Sequence, residues 1–547
     1  MKEVDYSLYL VTDSGMLPEG TTLESQVTAA LVNGATLVQL REKDADAGDF
    51  VEIALRIKRI CAEFDVPLLI NDRVDVALAV DADGVHVGQQ DIPPPLVRKM
   101  MGPGKIIGWS VGRPEEVLQL AKWGPGCVDY IGVGMVFPTE TKKNPRKSPM
   151  GIAGAVRIMD ALEESRAAWC RSVLIGGLHL DNIGRLLLQC ASSNGKRAAD
   201  GVAVVSEIMA ATDAGSATQR LRRLLDDGAH RFIVAKFTED IDYRTPEHLL
   251  PCVLRVREAS PLVHHVTNKV HQNFAANITL AASSSPIMSE IPSEFEDLSS
   301  ASHSALVLNT GSLVDIGIAT AAVRAYNAAR RPIVLDPVGF SASRTRLEYN
   351  GQLLNIGQYS CIKGNASEIL ALSSPEYSNM RGVDSAHHED ISVLCTAARR
   401  VAYRYRTVVV LTGHHDIIAN GALDCSFSLG VGSVPLPEQL PAYIVSCDSI
   451  PTFSKVTATG CSLGSVIACF LGALPPDGSP FHAVISAVLI YKSAGVFAAD
   501  RATGGGSFQA ELLDSMNKLF ENSSAEQIDA ICPLESWPVK VKRVDTP

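Results

Sequence analysis

The strongest constraint on this chain is a count. Short apolar runs rich in Val, Ile and Leu recur eight times in the first ~235 residues, each followed by a longer amphipathic stretch. In order they read SLYLVTD, ATLVQLREK, PLLIND, GVHVGQ, KIIGWS, DYIGVGMVF, SVLIGGL and DGVAVVS. Buried strands alternating with amphipathic helices imply parallel βα units. Eight units in this length is the number that closes a (β/α)8 TIM barrel. The rival is an open doubly wound sheet. Its nucleotide-binding versions carry GxGxxG after the first strand or GxxxxGK[ST], and neither is present.

A chain of 547 residues is too long for one ordinary core, so further domains are expected. The composition, 46% hydrophobic and 20% charged, is that of a globular protein. A net charge of −11 argues against nucleic acid and anionic membrane as partners, since both reward a basic face. The 12 cysteines are scattered without a CxxC pair, which argues against a disulfide framework or zinc knuckle and suits a reducing compartment. The N-terminus enters a strand-like run with no long apolar segment before it. The stretch CSLGSVIACFLGALPP is too short to span a bilayer. A cytoplasmic protein acting on small molecules is expected.

Barrel chemistry sits where strands end, and those positions here are polar. The second strand runs into Gln39, Arg41, Glu42 and Lys43, and the third into Asn71 and Asp72. Gln90 and Asp91 follow the fourth, Ser110 ends the fifth, and FPTETKK follows the sixth. Two carboxylates, Asp72 and Asp91, beside Arg41, Lys43 and Lys142 suggest a diphosphate bound with Mg2+, which uses one or two carboxylates plus phosphate oxygens. Gly176 and Gly177 after the seventh strand and Ser206 after the eighth supply a second anion site, where glycine lets a ligand approach the backbone. Any one of these residues alone is an ordinary loop charge or turn glycine; their shared position at successive strand ends makes them a site. A diphosphate on one side and a monophosphate on the other is the layout for joining two phosphorylated pieces with loss of pyrophosphate.

QLREK, ND, GVHVGQQD, GWS, FPTETKK, IGG and DGVAVVS closely resemble the thiamine-phosphate synthase family over nearly all of residues 1–230. The resemblance implies a hydroxymethylpyrimidine diphosphate and a hydroxyethylthiazole phosphate as substrates. It maps Gln39, Leu40, Arg41, Glu42, Lys43, Asn71, Ser110 and Lys142 to the pyrimidine diphosphate, and Asp72 and Asp91 to Mg2+. Thr139, Glu140, Thr141, Gly177, Val205 and Ser206 map to the thiazole phosphate. Leu174 stands where the family has the first glycine of Gly-Ile-Gly-Gly, a change expected to be tolerated.

The pattern fades in KFTEDIDYRTPEHLLP, which sets a linker at 236–248 between a barrel at 1–235 and a second domain at 249–547. ALVLNTG, PIVLDPVG, QYSCIKGN and TVVVLTG then read as strands ending in polar or glycine turns, followed by KVTATGCS and a long apolar helix. This is an open α/β sheet with ligands beyond its strand ends. Asp336, the Asn365-x-x-Glu368 pair, Lys363 and Thr412 supply an acid pair, a cation and a hydroxyl. The turn before Cys461 offers a helix N-terminus for phosphate, as a kinase without a P-loop needs.

Over roughly residues 250–525 this half resembles hydroxyethylthiazole kinase, of the ribokinase-like group, through VTNKVHQNFAAN, SPIM, ALVLNTGSL, LDPVG, KGNASE, LTGHHD, KVTATGCS and GGGSFQAELLD. The resemblance implies that Met288 and Ala458 touch the thiazole, that Lys363 and Thr412 touch ATP, and that Asp336 and Glu368 hold Mg2+. It places Cys461 where most ribokinase-like enzymes have an aspartate base. A thiol at a helix N-terminus is expected to have a depressed pKa and to take or orient the alcohol proton. Three positions depart from the family: Ala458 and Ser283 stand where glycine is common, and Lys363 where arginine is common. The resemblance also implies a homo-oligomer built on trimers, with a hexamer as the larger option. Two alternatives are kept: a pathway regulator with an inactive half, and a kinase for another small ring alcohol. The adjacent pairs His264–His265, His387–His388 and His414–His415 are read as surface or supporting groups, because neighbours on a strand point oppositely.

Overall fold

The computed structural model describes residues 4–139, 149–226, 249–373, 390–422, 436–447, 450–475, 478–521 and 537–544. The described residues up to 226 form one compact unit and those from 249 a second. The expected linker, 236–248, lies outside the described residues.

In the first unit β1 (Leu8–Val11), β2 (Leu37–Leu40), β3 (Leu68–Asn71), β4 (Gly84–Val87), β5 (Ile106–Val111), β6 (Tyr130–Val133), β7 (Arg171–Ile175) and β8 (Gly201–Val204) pair in chain order as a closed barrel. β8 returns to β1 in parallel register, Leu8 opposite Val202 and Leu10 opposite Val204. Alternation along each strand sorts the core. Leu8, Leu10, Val38, Leu40, Leu68 and Ile70 face the surrounding helices, while Tyr9, Val11, Leu37, Leu69, Tyr130 and Val173 fill the interior. The helices meet the outward set with matching stripes. Helix Ala47–Glu63, for example, buries Phe50, Ala54, Ile57 and Cys61, one residue per turn on a single face.

The second unit is a nine-stranded sheet. Its strands are β9 (Leu262–Val266), β10 (Ser285–Met288), β11 (Ser304–Asn309), β12 (Ile333–Asp336), β13 (Cys361–Asn365), β14 (Val408–Thr412), β15 (Asp416–Asn420), β16 (Ala442–Cys447) and β17 (Val539–Arg543). The order is β10-β9-β11-β12-β13-β14-β15-β16-β17. β9 to β14 are parallel, and β15 to β17 add antiparallel strands at one edge. The order reverses between β9 and β11, a switch point of the kind that opens a ligand crevice beyond the strand ends. Helix Thr459–Gly472 is buried on nearly every side. Helix Pro480–Arg501 has the length and hydropathy to cross a membrane, yet 78% of its most apolar window is buried within the unit, as in a core helix.

One expectation is narrowed here. His264 and His265 are supporting rather than surface groups: both are buried in β9, Nε2 of the first donating to Ser289 O (2.9 Å) and that of the second bonded to Ser465 Oγ (3.1 Å). His414 is exposed, whereas His387 and His388 lie outside the described residues.

Candidate active sites

In the barrel, one cavity at the strand ends is lined by Gln39, Arg41, Asn71, Ser110, Thr139, Gly177, Val205 and Ser206 together with His86 and Gly176. Its enclosed volume is about 120 Å3, and it opens to solvent at the strand ends. Two glycines shape its far wall. Gly176 (φ +101°) and Gly177 (φ +63°) have left-handed backbones, and a Cβ on Gly177 would sit 2.3 Å from Pro138 O. Leu174, the departure from the family's first glycine, points away from this turn into the core between barrel and helices.

Asp72 and Asp91 touch each other near the cavity. Burial, then the Asp91 charge and a hydrogen bond to it, push the Asp72 carboxyl up to about 6, against the pull of Lys43. Gly88 N–H donates to Asp91 Oδ2 at 2.7 Å, which fixes that carboxylate. Two facing carboxylates whose repulsion raises a pKa form an oxygen donor set that a divalent cation relieves, so these residues fit Mg2+.

Other expected residues are placed differently. Leu40 is fully buried among the outward-facing core, so its side chain does not reach the cavity: strand alternation turns it away from Gln39. Glu42 accepts from Ser14 Oγ at 2.8 Å, and burial raises its carboxyl. Arg41 lines the cavity while bonded to Asp13. Glu140, Thr141 and Lys142 lie outside the described residues.

In the second unit the parallel strands end at Met288, Asn309, Asp336, Asn365 and Thr412. Asp336 is buried and held by Lys363 Nζ at 3.2 Å and by Asn309 Nδ2 at 2.7 Å. Burial pushes the Asp336 carboxyl up, opposed by Lys363 and by hydrogen bonds from Lys363, Asn309 and Cys461. Burial also works against the Lys363 ammonium, yet Asp336, Cys461 and Glu368 hold its pKa above the ordinary value. Glu368 receives Gly339 N–H on Oε1 and Asn365 N–H on Oε2, both at 2.7 Å. Burial, then Asp336, raise it to about 7. Thr412 Oγ1 donates to Gly364 O at 3.3 Å, beside Asn365 in the β13–β14 register.

Cys461 overturns the expected pKa. Burial, then the Asp336 carboxylate, push its thiol up to about 11, against Lys363 and a hydrogen bond with Asn309. The helix N-terminus is outweighed by loss of water, so the group is a neutral thiol hydrogen-bonded to Asp336. Asn268 Nδ2 spans Asn309 Oδ1 (2.9 Å) and Cys461 Sγ (3.8 Å), tying the thiol into the same cluster. Ala458, the cap before the helix, has φ +70°. Ser283 has φ +54°. Both non-glycine departures occupy the left-handed region that glycine tolerates.

The model of the thiamine monophosphate synthase family matches residues 8–208, and that of the hydroxyethylthiazole kinase family matches residues 253–522. A thiamine biosynthetic bifunctional enzyme from Saccharomyces cerevisiae is 54% identical over 531 residues, covering 97% of this chain and 98% of the relative. The chain belongs to this bifunctional family. A probable thiamine biosynthetic bifunctional enzyme from Schizosaccharomyces pombe is 36% identical over 542 residues, again 97% of this chain and 98% of its own. A thiamine-phosphate synthase from Clostridium botulinum is 40% identical over 224 residues, 41% of this chain and 96% of its own. The bifunctional enzyme thus carries a thiamine-phosphate synthase domain in its barrel and a hydroxyethylthiazole kinase domain in its nine-stranded half.

Sequence reasoning passed over two features of the enzyme. In the kinase domain His271 is fully buried beside Lys363, and burial, then Lys363, hold its ring neutral with a pKa of about 4. In the synthase domain His86 lines the cavity and bonds Ser110 Oγ (2.9 Å) and Tyr130 OH (2.8 Å). The signal for His86 was available: within GVHV it holds the inward parity of a four-residue strand.

Proposed function

We propose that the kinase domain phosphorylates the primary alcohol of 4-methyl-5-(2-hydroxyethyl)thiazole with ATP, and that the synthase domain joins the product to 4-amino-2-methyl-5-hydroxymethylpyrimidine diphosphate. The observation that carries this reading is a barrel cavity lined both by Gln39, Arg41 and Asn71 and by Gly176, Gly177 and Ser206. Two phosphorylated ligands meet across it. Arg41, Lys43 and Lys142 stabilise the diphosphate as its C–O bond breaks and the electron pair leaves with oxygen. The thiazole nitrogen lone pair then forms the new C–N bond, giving thiamine phosphate and pyrophosphate. Mg2+ at Asp72 and Asp91 neutralises charge on the leaving diphosphate when bound.

In the kinase domain the alcohol oxygen bonds to the terminal phosphorus of ATP as the P–O bond to ADP breaks and its electron pair leaves with ADP. Cys461 orients the hydroxyl as a neutral thiol, and the alcohol proton is relayed through that thiol to the Asp336 carboxyl hydrogen-bonded to it. Lys363 opposes the effect of burial on Asp336, Lys363 and Thr412 reach the nucleotide phosphates, and Glu368 and Asp336 are the metal-facing carboxylates. Met288 and Ala458 contact the thiazole. The enzyme is a homo-oligomer, a trimer or a hexamer. Supporting this, Val270 (71% exposed), Leu280 (58%) and Ile291 (55%) leave apolar surface in the segments flanking the edge strand β10. The described cysteines are all free thiols, in keeping with a cytoplasmic setting.

One incubation tests the order of steps: purified chain with Mg-ATP, the thiazole alcohol and the pyrimidine diphosphate, products resolved by chromatography. Thiamine phosphate forming only when ATP is present is the expected result. A requirement for supplied thiazole phosphate even with ATP would refute the kinase assignment.

A further inference from the structure

Beneath the barrel cavity runs a chain of hydrogen bonds from one wall to the other. Gln39 Nε2 donates to Tyr9 OH at 2.6 Å, Tyr9 OH meets Tyr130 OH at 2.8 Å, Tyr130 OH meets His86 Nδ1 at 2.8 Å, and His86 Nε2 meets Ser110 Oγ at 2.9 Å. Both ends line the cavity. The middle is dry: Tyr9 is 1% and Tyr130 0% exposed.

One arrangement leaves no buried proton unpaired. The Tyr9 oxygen accepts from the Gln39 amide and its other hydrogen-bond partner is Tyr130, so the Tyr9 proton goes to Tyr130 in that arrangement. Tyr130 in turn donates to His86 Nδ1, which makes Nε2 the protonated nitrogen, and that nitrogen donates to Ser110 Oγ. The Ser110 proton is then left for the cavity, and so is the Gln39 carbonyl oxygen. Burial raises both phenols well above their ordinary pKa, so neither loses its proton. The space is kept open by glycine: a Cβ on Gly108 would lie 2.3 Å from Tyr130 OH and 2.4 Å from His86 Nδ1.

We infer that Tyr9, Tyr130 and His86 are positioning residues that lock Gln39 as acceptor and Ser110 as donor, so that the synthase cavity selects a ring presenting one donor and one acceptor, such as an aminopyrimidine. This rests on the proposed synthase reading, in which Gln39 and Ser110 face the pyrimidine. A ring with oxygen in place of the amino group presents an acceptor where Gln39 demands a donor. Rejection of such a ring follows from leaving buried polar groups unpaired.

The test compares the pyrimidine diphosphate with its 4-oxo analogue as substrates of the full chain, with thiazole phosphate supplied. The readout is the ratio of kcat/KM for the two rings. The 4-oxo ring's different intrinsic reactivity cancels when variants are compared with the parent. Tyr130→Phe and Tyr9→Phe each cut the chain at a different link and remove only one oxygen. Each is expected to lower discrimination at least tenfold and to raise KM for the aminopyrimidine, with KM for thiazole phosphate unchanged. Discrimination unchanged in either variant overturns the inference, whatever happens to kcat, because a continuous chain fails at any link. If Tyr130→Phe does not accumulate, Tyr9→Phe alone decides. Failure of the parent enzyme to make thiamine phosphate at all would instead sink the functional reading, and that outcome is separate.

Discussion

Replacing Ala458 by glycine is expected to stabilise the kinase domain. Ala458 caps helix Thr459–Gly472 with φ +70° and ψ −4°. A left-handed backbone costs an L-residue about 1–2 kcal/mol through its Cβ. Glycine relieves that cost but adds unfolded-chain entropy worth about 0.5–1 kcal/mol. The difference leaves a net gain of roughly 0.5–1 kcal/mol, which for a domain of this size raises Tm by about 1–3 °C. Calorimetry of the full chain is the assay, with the kinase transition identified as the one that shifts when a non-hydrolysable ATP analogue is added. Ala458→Val serves as the opposite control: a β-branched side chain fits this backbone worse than alanine, so its transition falls. A glycine variant that melts at or below the parent temperature would refute the strain argument, and with it the idea that this position departs from glycine at a cost.

Three further outcomes follow from the sites. Asp72 has a folded pKa of about 6, above its ordinary value, so its contribution to stability is full below about pH 4 and lost as pH rises through 6. Urea midpoints measured from pH 4 to 7 should show this slope in the parent and lose it in Asp72→Asn, while Mg2+ half-saturation of the synthase should worsen as pH falls through 6. The Cys461 thiol, at about 11, should react slowly with iodoacetamide at pH 7 and faster toward pH 10. Cys461→Ser should keep kinase kcat within about tenfold, since a hydroxyl also donates to Asp336; a thiolate titrating below pH 8 contradicts this. Gly177→Ala should destabilise the barrel by about 1–3 kcal/mol through overpacking against Pro138 and raise KM for thiazole phosphate, with kinase rates unchanged.

What the sequence disclosed depended on whether the signal was local. The eight barrel strands were legible because each is a short apolar run followed by an amphipathic helix, a pattern written in neighbouring residues. In the second unit the same reasoning found β11 to β14 and missed β9, whose two histidines disguise a buried strand, and β10, a four-residue edge strand containing Pro286. It also missed the antiparallel β15 to β17. Leu40 was assigned with its QLREK neighbours by resemblance, which is blind to a strand turning alternate side chains to opposite faces and so sending the Leu40 side chain toward the helices. The Cys461 pKa was not legible at all: it depends on how much protein covers the thiol and on Asp336, which lies 125 positions earlier. The Tyr9–Tyr130 bond joins residues 121 apart, so no window on the chain contains it.

The parallel register of β8 on β1 has a consequence for how the barrel comes into being. Leu8 and Val202 are partners, so the ring stays open until almost the whole first unit has been synthesised. Val205 and Ser206 follow immediately, and Gln39 stands on the strand beside β1. Joining these walls of the cavity and closing the ring are therefore one event. The wall with Gln39, Asn71 and Ser110 comes from β2 to β5, but the cavity also needs Val205 and Ser206, so synthase turnover should report the completed ring. Contacts this distant in sequence also make closure a slow step, so nascent chains that stall before β8 expose the apolar inner faces of β1 and β7 together, the surfaces a chaperone would meet first.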